Sequence, residues 1–468
     1  MAEFQRRPLV KKILQSTVFA ILVCALPILL RVCCGESPST HPEGNCFIIH
    51  YNSAANPVKL IFDPLRTDWA SFQARELSYL LDYLDAKFIF ASIRSHHAHF
   101  YSLSALLLLI ASAGLIHSKL KKLYPQSPAL LQLLVPLMYV CSFVNFTGFF
   151  RSSKPAVSFL LLWIFFNIAA MVKFPEKFQS FRAHWWTAIL LLLMPGFDRI
   201  GFFSAAACAG GSALVLGMLS CELLPIERTK VEALKKPLMI FSVSALVSVI
   251  FSLIYNFAIA PALVEAINGY KVSFEYQTFR MPITALHKGA VFILQNYGGF
   301  FLPVNGMAAL FCGAAVVLFL TFCAIRCYRQ NPENILVIIA FCGIFTASLL
   351  CAGMMNGRHP LINELPIGSY FQVFGAALTG ISAVVLFELK EKKSIIILTV
   401  LMIFAGMTPV CRMILPKPYC SAELVFHQQT TGETIGMLNS PEKTPSKLLP
   451  TTSWELIAFA RKSGGILK

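Results

Sequence analysis

Residues 155–172 read PAVSFLLLWIFFNIAAMV and carry no charged side chain. At about 1.5 Å per residue, an α-helix of this length is about 27 Å long, close to the roughly 30 Å hydrocarbon thickness of a bilayer. Ten further apolar stretches surround it, which predicts an all-α polytopic membrane protein of about 11 transmembrane helices. The predicted spans are 13–33, 98–117, 129–150, 155–172, 184–197, 201–221, 237–260, 301–325, 335–355, 369–388 and 394–413.

The composition of the 468-residue chain excludes an ordinary soluble enzyme. Hydrophobic residues make up 56% and charged residues only 13%, with a mean hydropathy of +0.67, whereas soluble domains are about 25% charged. The strict alternation of polarity typical of a transmembrane β-barrel is absent. The net charge of +16 is spread over interhelical loops rather than gathered on one face, so we expect no nucleic-acid partner.

The positive charges predict the orientation of the spans. Lysines and arginines mark cytoplasmic loops, and they are concentrated in alternate loops if the N-terminus is inside. The first span lacks a small-x-small cleavage pattern, so we expect a retained helix rather than a signal peptide. An odd number of spans then leaves residues 414–468 outside. The short loops of the opposite side hold few cations, namely Arg151, Lys154, Arg199 and Arg358.

Two predicted external loops, 34–97 and 261–300, are long enough to carry structure of their own. In the first, residues 46–62 suggest two short strands around a turn. Residues 67–94 have apolar positions three and four apart, which indicates an amphipathic helix or helix pair lying on the membrane surface. The second loop is aromatic and basic. The predicted organisation is thus a transmembrane domain, 1–413, with these two loops, followed by the external segment 414–468.

The sharpest local feature is the acidic stretch before the predicted surface helix. Asp63 and Asp68 lie five residues apart, and Arg75 and Glu76 follow two turns later. Carboxylates at a membrane surface are suited to bind a divalent cation or to act as a general base toward an acceptor hydroxyl. The alternative for Asp68 is N-capping of the helix.

This layout resembles the GT-C superfamily of integral-membrane glycosyltransferases, which use polyprenyl-phosphate sugars as donors. The resemblance lies in a long acidic external loop after one N-in helix, the Arg75-Glu76-Leu77-Ser78 core of an amphipathic helix, about 11 spans and a second long external loop. It implies that an acidic residue of the first loop is the catalytic base or a metal ligand. Asp63 and Asp68 are the candidates, with Arg75 and Glu76 beside them. Asp63 lies further from the first helix than the family pattern has it, and Glu36 is the fallback.

A phosphate at the bilayer interface would need external cations, because Arg and Lys hold phosphate oxygens by charge-assisted hydrogen bonds. The candidates for binding the donor phosphate are Arg280, His287 and Lys288 in the second long loop, and Arg358 with His359. For Arg358 the alternative is a cation that snorkels from a helix end.

Other constellations carry less information. Ser95-His96-His97-Ala98-His99 lacks the i, i+4 histidine pair that suits a metal on one helix face, and Asp198-Arg199 suggests a local ion pair. No Walker loop, Rossmann fingerprint or Gly-x-Ser-x-Gly elbow occurs. Most cysteines lie inside apolar stretches; the candidates for external disulfides are Cys33, Cys34, Cys46 and Cys420.

The predicted function is transfer of a sugar from a polyprenyl-phosphate donor to an external glycan, lipid or protein acceptor. Two alternatives remain open: a transporter or flippase for a cell-envelope precursor, and a membrane acyltransferase or polysaccharide polymerase using His287 and Arg358. A transporter typically has helix breaks and ionisable residues at mid-membrane and repeated halves; here the span centres are nearly uncharged and no repeat is visible. The predicted partners are a polyprenyl-phosphate sugar and membrane lipid, and the predicted location is the bacterial inner membrane.

Overall fold

A computed structural model of the chain describes residues 13–33, 42–53, 56–62, 74–144, 153–271, 283–302, 306–335, 339, 343, 380–389, 392–414, 422–440, 442–445 and 449–464. All secondary structure in these residues is helical. The helices are α1 Thr17–Cys33, α2 Pro42–Asn52, α3 Pro57–Ile61, α4 Glu76–Arg94, α5 Leu103–Leu123, α6 Ala129–Val144, α7 Ser153–Lys173, α8 Phe181–Leu193, α9 Arg199–Ser220, α10 Arg228–Ile254, α11 Ala260–Asn268, α12 Ile283–Phe301, α13 Gly306–Gln330, α14 Lys392–Ile414, α15 Ala422–Asn439 and α16 Thr451–Gly464.

Shorter helical elements join some of these helices. Single 3-10 turns lie at Pro175–Phe178, Met194–Gly196 and Pro332–Asn334, and a π-helical turn, Tyr255–Ile259, connects α10 with α11. Residues 380–388 are also helical.

Five helices among the described residues are long and apolar enough to cross a membrane. They fall on the spans predicted at 98–117, 155–172, 201–221, 237–260 and 301–325, which confirms an all-helical chain with membrane-length helices. The five are Leu103–Leu123, Ser153–Lys173, Ile200–Ser220, Arg228–Asn268 and Gly306–Gln330. The predicted count of 11 is not reached, because α1, α6 and α8 are shorter and most of 335–379 lies outside the described residues.

The outer surface of these helices is apolar, as contact with lipid requires. On α10, Val243, Leu246 and Ile250 are each about half exposed. Phe181, Trp185 and Trp186 are exposed at the start of α8, next to a basic connection. Aromatic side chains of this kind collect at membrane–water interfaces.

The first predicted loop is helical where strands were expected, so the prediction of two strands within 46–62 was wrong. Phe47, Ile48 and Tyr51 are buried, with the three-to-four spacing of a helix face. Asn56 caps α3 by accepting from the Val58 amide, and Pro57 occupies the first helical position. Packing against α4 overrides the strand propensity of the Phe-Ile-Ile run, because strand preference depends on what the side chains pack against.

The predicted external segments 34–97 and 414–468 pack against each other. We call the helices α2, α4, α15 and α16 the cap. Their shared apolar cluster contains Ile48, Ile89, Phe90, Leu456 and Ile457, among others. Two polar contacts tie the same segments: the Asn45 amide donates to Ser453 Oγ (3.2 Å), and the Ala98 amide donates to Asn439 Oδ1 (2.8 Å).

The predicted amphipathic helix of the first loop is present as α4 and begins at Glu76. One face is buried in the cap, including Ala86, Ile89 and Ile93. A second stripe, formed by Leu80, Leu84 and Phe88, is about half exposed. Since these three residues are four positions apart, they form one apolar face, which is the face that a surface helix would turn toward lipid.

The stretch 261–300, expected as a loop, contains α11 and α12. Helices α12 and α13 form an antiparallel hairpin, since Gly298 lies next to Ala309 whereas Leu294, one turn earlier, lies next to Gly313. A Cβ atom built on Gly298 would lie 1.9 Å from Ala309 O, and one on Gly313 would lie 1.8 Å from Leu294 O. The two backbones can approach this closely only because both positions are glycine.

Candidate functional site

Three ionisable side chains from distant parts of the chain meet where α4, α7 and α9 begin. Arg75 Nη1 lies 3.3 Å from Asp198 Oδ2, and Lys154 Nζ donates to the same oxygen. The Arg75 and Lys154 side chains are 10% exposed and that of Asp198 is 3% exposed. We call Arg75, Lys154 and Asp198 the ion cluster. The cluster therefore places two buried cations around one carboxylate.

Local structure fixes the position of each member. Asp198 is the N-cap of α9, and its Oδ1 accepts from the Ile200 amide (3.2 Å). The preceding turn packs tightly, because a Cβ on Gly201 would lie 2.2 Å from Met194 O. Lys154 lies in the first turn of α7, and Arg75 directly precedes α4. The cluster therefore joins three helix starts.

The cluster keeps Asp198 ionised. Burial by itself would raise the pKa of this carboxyl, but the positive charges of Lys154 and Arg75, with the hydrogen bonds from Lys154 and the Ile200 amide, lower the pKa from 3.8 to about 2. A carboxylate with so low a pKa is a poor proton acceptor near neutral pH. Asp198 therefore holds the two cations and is unsuited to be a general base.

The pKa of Glu76, the residue after Arg75, is shifted in the opposite direction to that of Asp198. Burial raises the pKa of its carboxyl above 4.5; the Glu76 backbone amide, the Tyr255 hydroxyl and the Arg75 charge partly offset that rise. Tyr255 donates to Glu76 from the first position of the π-helical turn. Single π-helical turns inside α-helices occur often at functional sites. A carboxyl with a raised pKa beside a cation is suited to accept a proton.

A further acidic residue of α4, Asp85, has a structural role. Asp85 accepts from Ser102 Oγ (2.5 Å), Ser104 N (2.9 Å) and Ser104 Oγ (2.6 Å) at the start of α5. Burial is the main cause that raises the pKa of Asp85, and the nearby Asp82 raises it further. Because three donors already occupy the Asp85 carboxylate, it anchors α5 to α4.

The structure brings together only part of the predicted site. Arg75 and Glu76 lie side by side in the cluster region, whereas Asp63, Asp68, Arg280, Arg358 and His359 lie outside the described residues. His287 and Lys288 lie on α12, whose side chains there are not described. At about 1.5 Å per residue, their backbone is roughly 20 Å along α12 from its last residue, Phe301.

Asp63 and Asp68 lie in the sequence between Phe62 and Ala74, and both of these described residues contact α11. The Asn268 side-chain amide donates to Phe62 O (2.8 Å). At the other end, Ala74 is buried with Ala260 and Val264. Phe62 and Ala74, the described residues on either side of 63–73, thus both contact one short helix, and Ala74 directly precedes Arg75.

The histidine stretch 95–99 makes aromatic rather than metal-like contacts. The His99 ring lies 5.0 Å from the Phe88 ring and 5.8 Å from the Tyr101 ring. Across the part of the chain that the structure describes, no group of three or more His, Cys, Asp or Glu residues is arranged to hold a metal ion.

Lys154, Asp198 and Tyr255 were not among the predicted site residues. The sequence suggested that Asp198 pairs with Arg199; the side chain of Arg199 is not described, so that pair stays a prediction. Two partners of Asp198 that the sequence did not indicate lie 44 and 123 positions away. One available signal was that Arg75, Lys154 and Asp198 all lie in loops predicted to share one side of the membrane.

Comparisons of the chain with family models, with curated proteins and with solved structures find no match.

Proposed function

We propose that the protein is an integral-membrane glycosyltransferase of GT-C type that moves a sugar from a polyprenyl-phosphate donor to an external acceptor. The observation that carries this proposal is the pairing of two features at one place. The ion cluster supplies two buried cations, and the adjacent Glu76 is a carboxyl with a raised pKa. Transfer of a glycosyl group from a phosphate needs both.

The two buried cations of the ion cluster suit the leaving group. As the bond between the sugar C1 and the phosphate oxygen breaks, the oxygen keeps the electron pair and polyprenyl phosphate gains negative charge. Buried cations stabilise such charge better than solvated ones, because the local dielectric constant is lower and the groups are already oriented. Arg75 and Lys154 fill this role, with Arg280, His287, Lys288, Arg358 and His359 as the further proposed phosphate ligands.

Glu76 suits the acceptor side. The acceptor hydroxyl oxygen forms the new bond to C1 and gives its proton to a carboxylate, and a raised pKa brings that carboxylate closer to the basicity that proton transfer needs. Asp198 already forms ion pairs with two cations, and Asp85 already accepts hydrogen bonds from two serines. Asp63 and Asp68 remain the alternative bases, because their segment adjoins Arg75. A bound divalent cation at these carboxylates is part of the same proposal.

The position of the charged residues relative to the membrane favours a glycosyltransferase over a transporter. Lys154 and Asp198 lie at the starts of the membrane-length helices α7 and α9 rather than at their centres, and Arg75 directly precedes α4. Secondary transporters typically bind substrate near the bilayer midplane, between broken helices. An interfacial position instead suits a donor whose phosphate lies at the membrane surface.

The proposed orientation is N-terminus inside and C-terminus outside in a bacterial inner membrane, as the distribution of positive charges predicts. Contacts between loops support the predicted division of the loops into two sides. Lys173 with Glu388 (3.1 Å) and Gln179 with Ala233 O (2.7 Å) join loops predicted inside, while the ion cluster joins loops predicted outside. Epitope tags inserted after Gln126 and after Ser440 test the orientation. The tag at 440 should bind antibody on intact spheroplasts and the tag at 126 only after permeabilisation; the reverse pattern contradicts it.

The deciding experiment is a transfer assay after lipid analysis. The protein is purified in mild detergent, copurifying lipids are identified by mass spectrometry, and labelled polyprenyl-phosphate hexoses and pentoses are supplied to proteoliposomes. We expect a retained polyprenyl phosphate and transfer of label to cell-envelope glycan. E76Q should lose at least about 100-fold in rate, as loss of a general base does, while E442Q, an exposed glutamate, should not. Absence of both retained lipid and transfer would overturn the proposal.

A further inference from the structure

A cavity of about 410 Å³ lies in the cap, away from the ion cluster. It is formed between α15 and the following residues 443–445, and its lining includes Gln429, Gly432, Glu433, Gly436, Lys443 and Thr444. This volume falls in the range of about 300–1,000 Å³ that small-molecule sites occupy.

The lining chemistry suits a neutral polyhydroxylated ligand. Among the lining residues that the structure describes, Glu433 and Lys443 contribute one charge of each sign, so their charges cancel and do not select an anion. Gln429 and Thr444 add an amide and a hydroxyl, which both donate and accept hydrogen bonds. Met437 and Pro445 supply apolar surface at the same place. A sugar ring presents the matching combination of hydroxyl groups and C–H faces.

Two glycines keep this cavity open. Gly432 and Gly436 lie four positions apart, on one face of α15. A Cβ on Gly432 would meet no atom within 4 Å, and one on Gly436 would meet Lys443 Nζ at 3.8 Å, an ordinary contact. Neither is among the positive-φ glycines of the described chain. Glycine inside a helix costs up to about 1 kcal/mol relative to alanine, and here neither packing nor backbone conformation requires it.

The cavity is linked to the proposed reaction site through the packing of α15 against α4. Met437, which lines it, belongs to the same buried cluster as Ile89 and Phe90 of α4. Glu76 begins that helix, and the 14 residues from Glu76 to Phe90 correspond to about 20 Å. One monosaccharide cannot reach from the cavity to Glu76, whereas a chain of several sugar units can.

We propose that this cavity binds a neutral carbohydrate and that it holds a distal sugar unit of an oligosaccharide or polysaccharide acceptor. Its role as an acceptor site rests on the proposed glycosyltransferase function; its affinity for carbohydrate does not. The acceptor is then a glycan rather than a lipid or a protein side chain.

The test measures binding without any donor. Glucose, galactose, mannose, N-acetylglucosamine and maltotetraose are each titrated into the full-length protein in detergent, with saturation-transfer NMR as the readout. We expect saturable binding of at least one of these probes. G432L, which fills the cavity, and E433Q should each weaken that binding at least tenfold.

Two matched controls lie beside the cavity. Ser440 and Glu442 are exposed and do not line it, so S440L and E442Q should bind as the wild type does, and thermal unfolding should show that all four variants are folded. No saturable binding by any probe would overturn the proposal, as would binding that survives both G432L and E433Q. Binding as expected in a protein that transfers no sugar would keep the carbohydrate site and overturn only the acceptor role.

Discussion

Lys154 and Asp198, 44 positions apart, form an ion pair in which neither side chain is more than a tenth exposed. The same carboxylate oxygen lies 3.3 Å from Arg75. A buried pair of this kind is weak evidence for net stability, but removing one partner leaves uncompensated charge. The cluster is thus both the tie between three helix starts and the main source of positive charge at the proposed site.

Replacing Asp198 by asparagine tests how much the ion cluster contributes to the stability of the fold. Asparagine caps a helix about as well as aspartate, so D198N removes the charge and keeps the cap. We expect a loss of about 3–5 kcal/mol in the free energy of unfolding, because Arg75 and Lys154 are left buried together. Titration with a denaturing detergent measures this. K230Q, which breaks the ion pair of a half-exposed lysine with Glu333, is the control and should change little.

The double variant D198N/K154M measures the coupling energy between Asp198 and Lys154. It should be more stable than the sum of the single changes predicts, by a coupling energy of about 0.5–3 kcal/mol. Strict additivity of the two changes would show that the ion pair is not formed.

Lowering the pH should destabilise the wild type, because Asp198 becomes protonated. The folded pKa of about 2 lies below the usual 3.8, so this group stabilises the fold above pH 4 and its contribution disappears as the pH falls from about 4 to 2. The difference corresponds to about 2 kcal/mol. The stability gap between wild type and D198N should therefore narrow by that amount between pH 6 and pH 2. A constant gap would contradict the lowered pKa.

The contribution of Glu76 to stability should change with pH in the opposite direction to that of Asp198. Its folded pKa is raised, so its neutral form is favoured by the fold: the contribution is fully present below the usual pKa of 4.5 and is lost as the pH rises through the folded pKa. E76Q should then be more stable than the wild type at pH 7 and equal to it at low pH, while sugar transfer is lost. Thermal unfolding at both pH values and the transfer assay check the two parts. An E76Q variant that is less stable at pH 7 would contradict the raised pKa.

Tyr255 should tune Glu76 without being required for the fold. Its hydroxyl donates to the Glu76 carboxylate and so lowers the pKa of that group. Y255F should raise the pKa of Glu76 and shift the acidic limb of the pH profile of kcat/KM to higher pH. Y83F is the matched control, because the Tyr83 ring packs edge-on against Tyr51. Equal pH profiles for Y255F and Y83F would remove Tyr255 from the site.

The α12–α13 hairpin should not tolerate a methyl group at its crossing. G298A and G313A each place a Cβ within 2 Å of a carbonyl oxygen, so the helices must separate, at a cost of about 1–3 kcal/mol or more. G217A on α9, where a Cβ meets nothing within 4 Å, should be neutral or stabilising by up to about 1 kcal/mol. Detergent unfolding compares the three, and equal stability would contradict the close approach.

The amino-acid sequence by itself determined the class of the protein and the place of its membrane-length helices. Long uncharged stretches such as 155–172 have one outcome in a bilayer, because every backbone amide must be paired within the helix. The alternation of basic loops also predicted which loops share a side, and the ion cluster and the contacts of Lys173 and Gln179 join loops in that pattern. These are local signals, carried by composition and spacing.

Only the tertiary structure decided which residues meet. The partners of Asp198 are set by how α4, α7 and α9 pack, and sequence spacing favoured its neighbour Arg199. Residues 42–52 and 57–61 are helical because their apolar face packs on α4, although the run Phe47-Ile48-Ile49 has strand propensity. The cap cavity needs α15 and residues 443–445 together. Such contacts depend on groups distant in the sequence, which no local pattern of charge or hydrophobicity encodes.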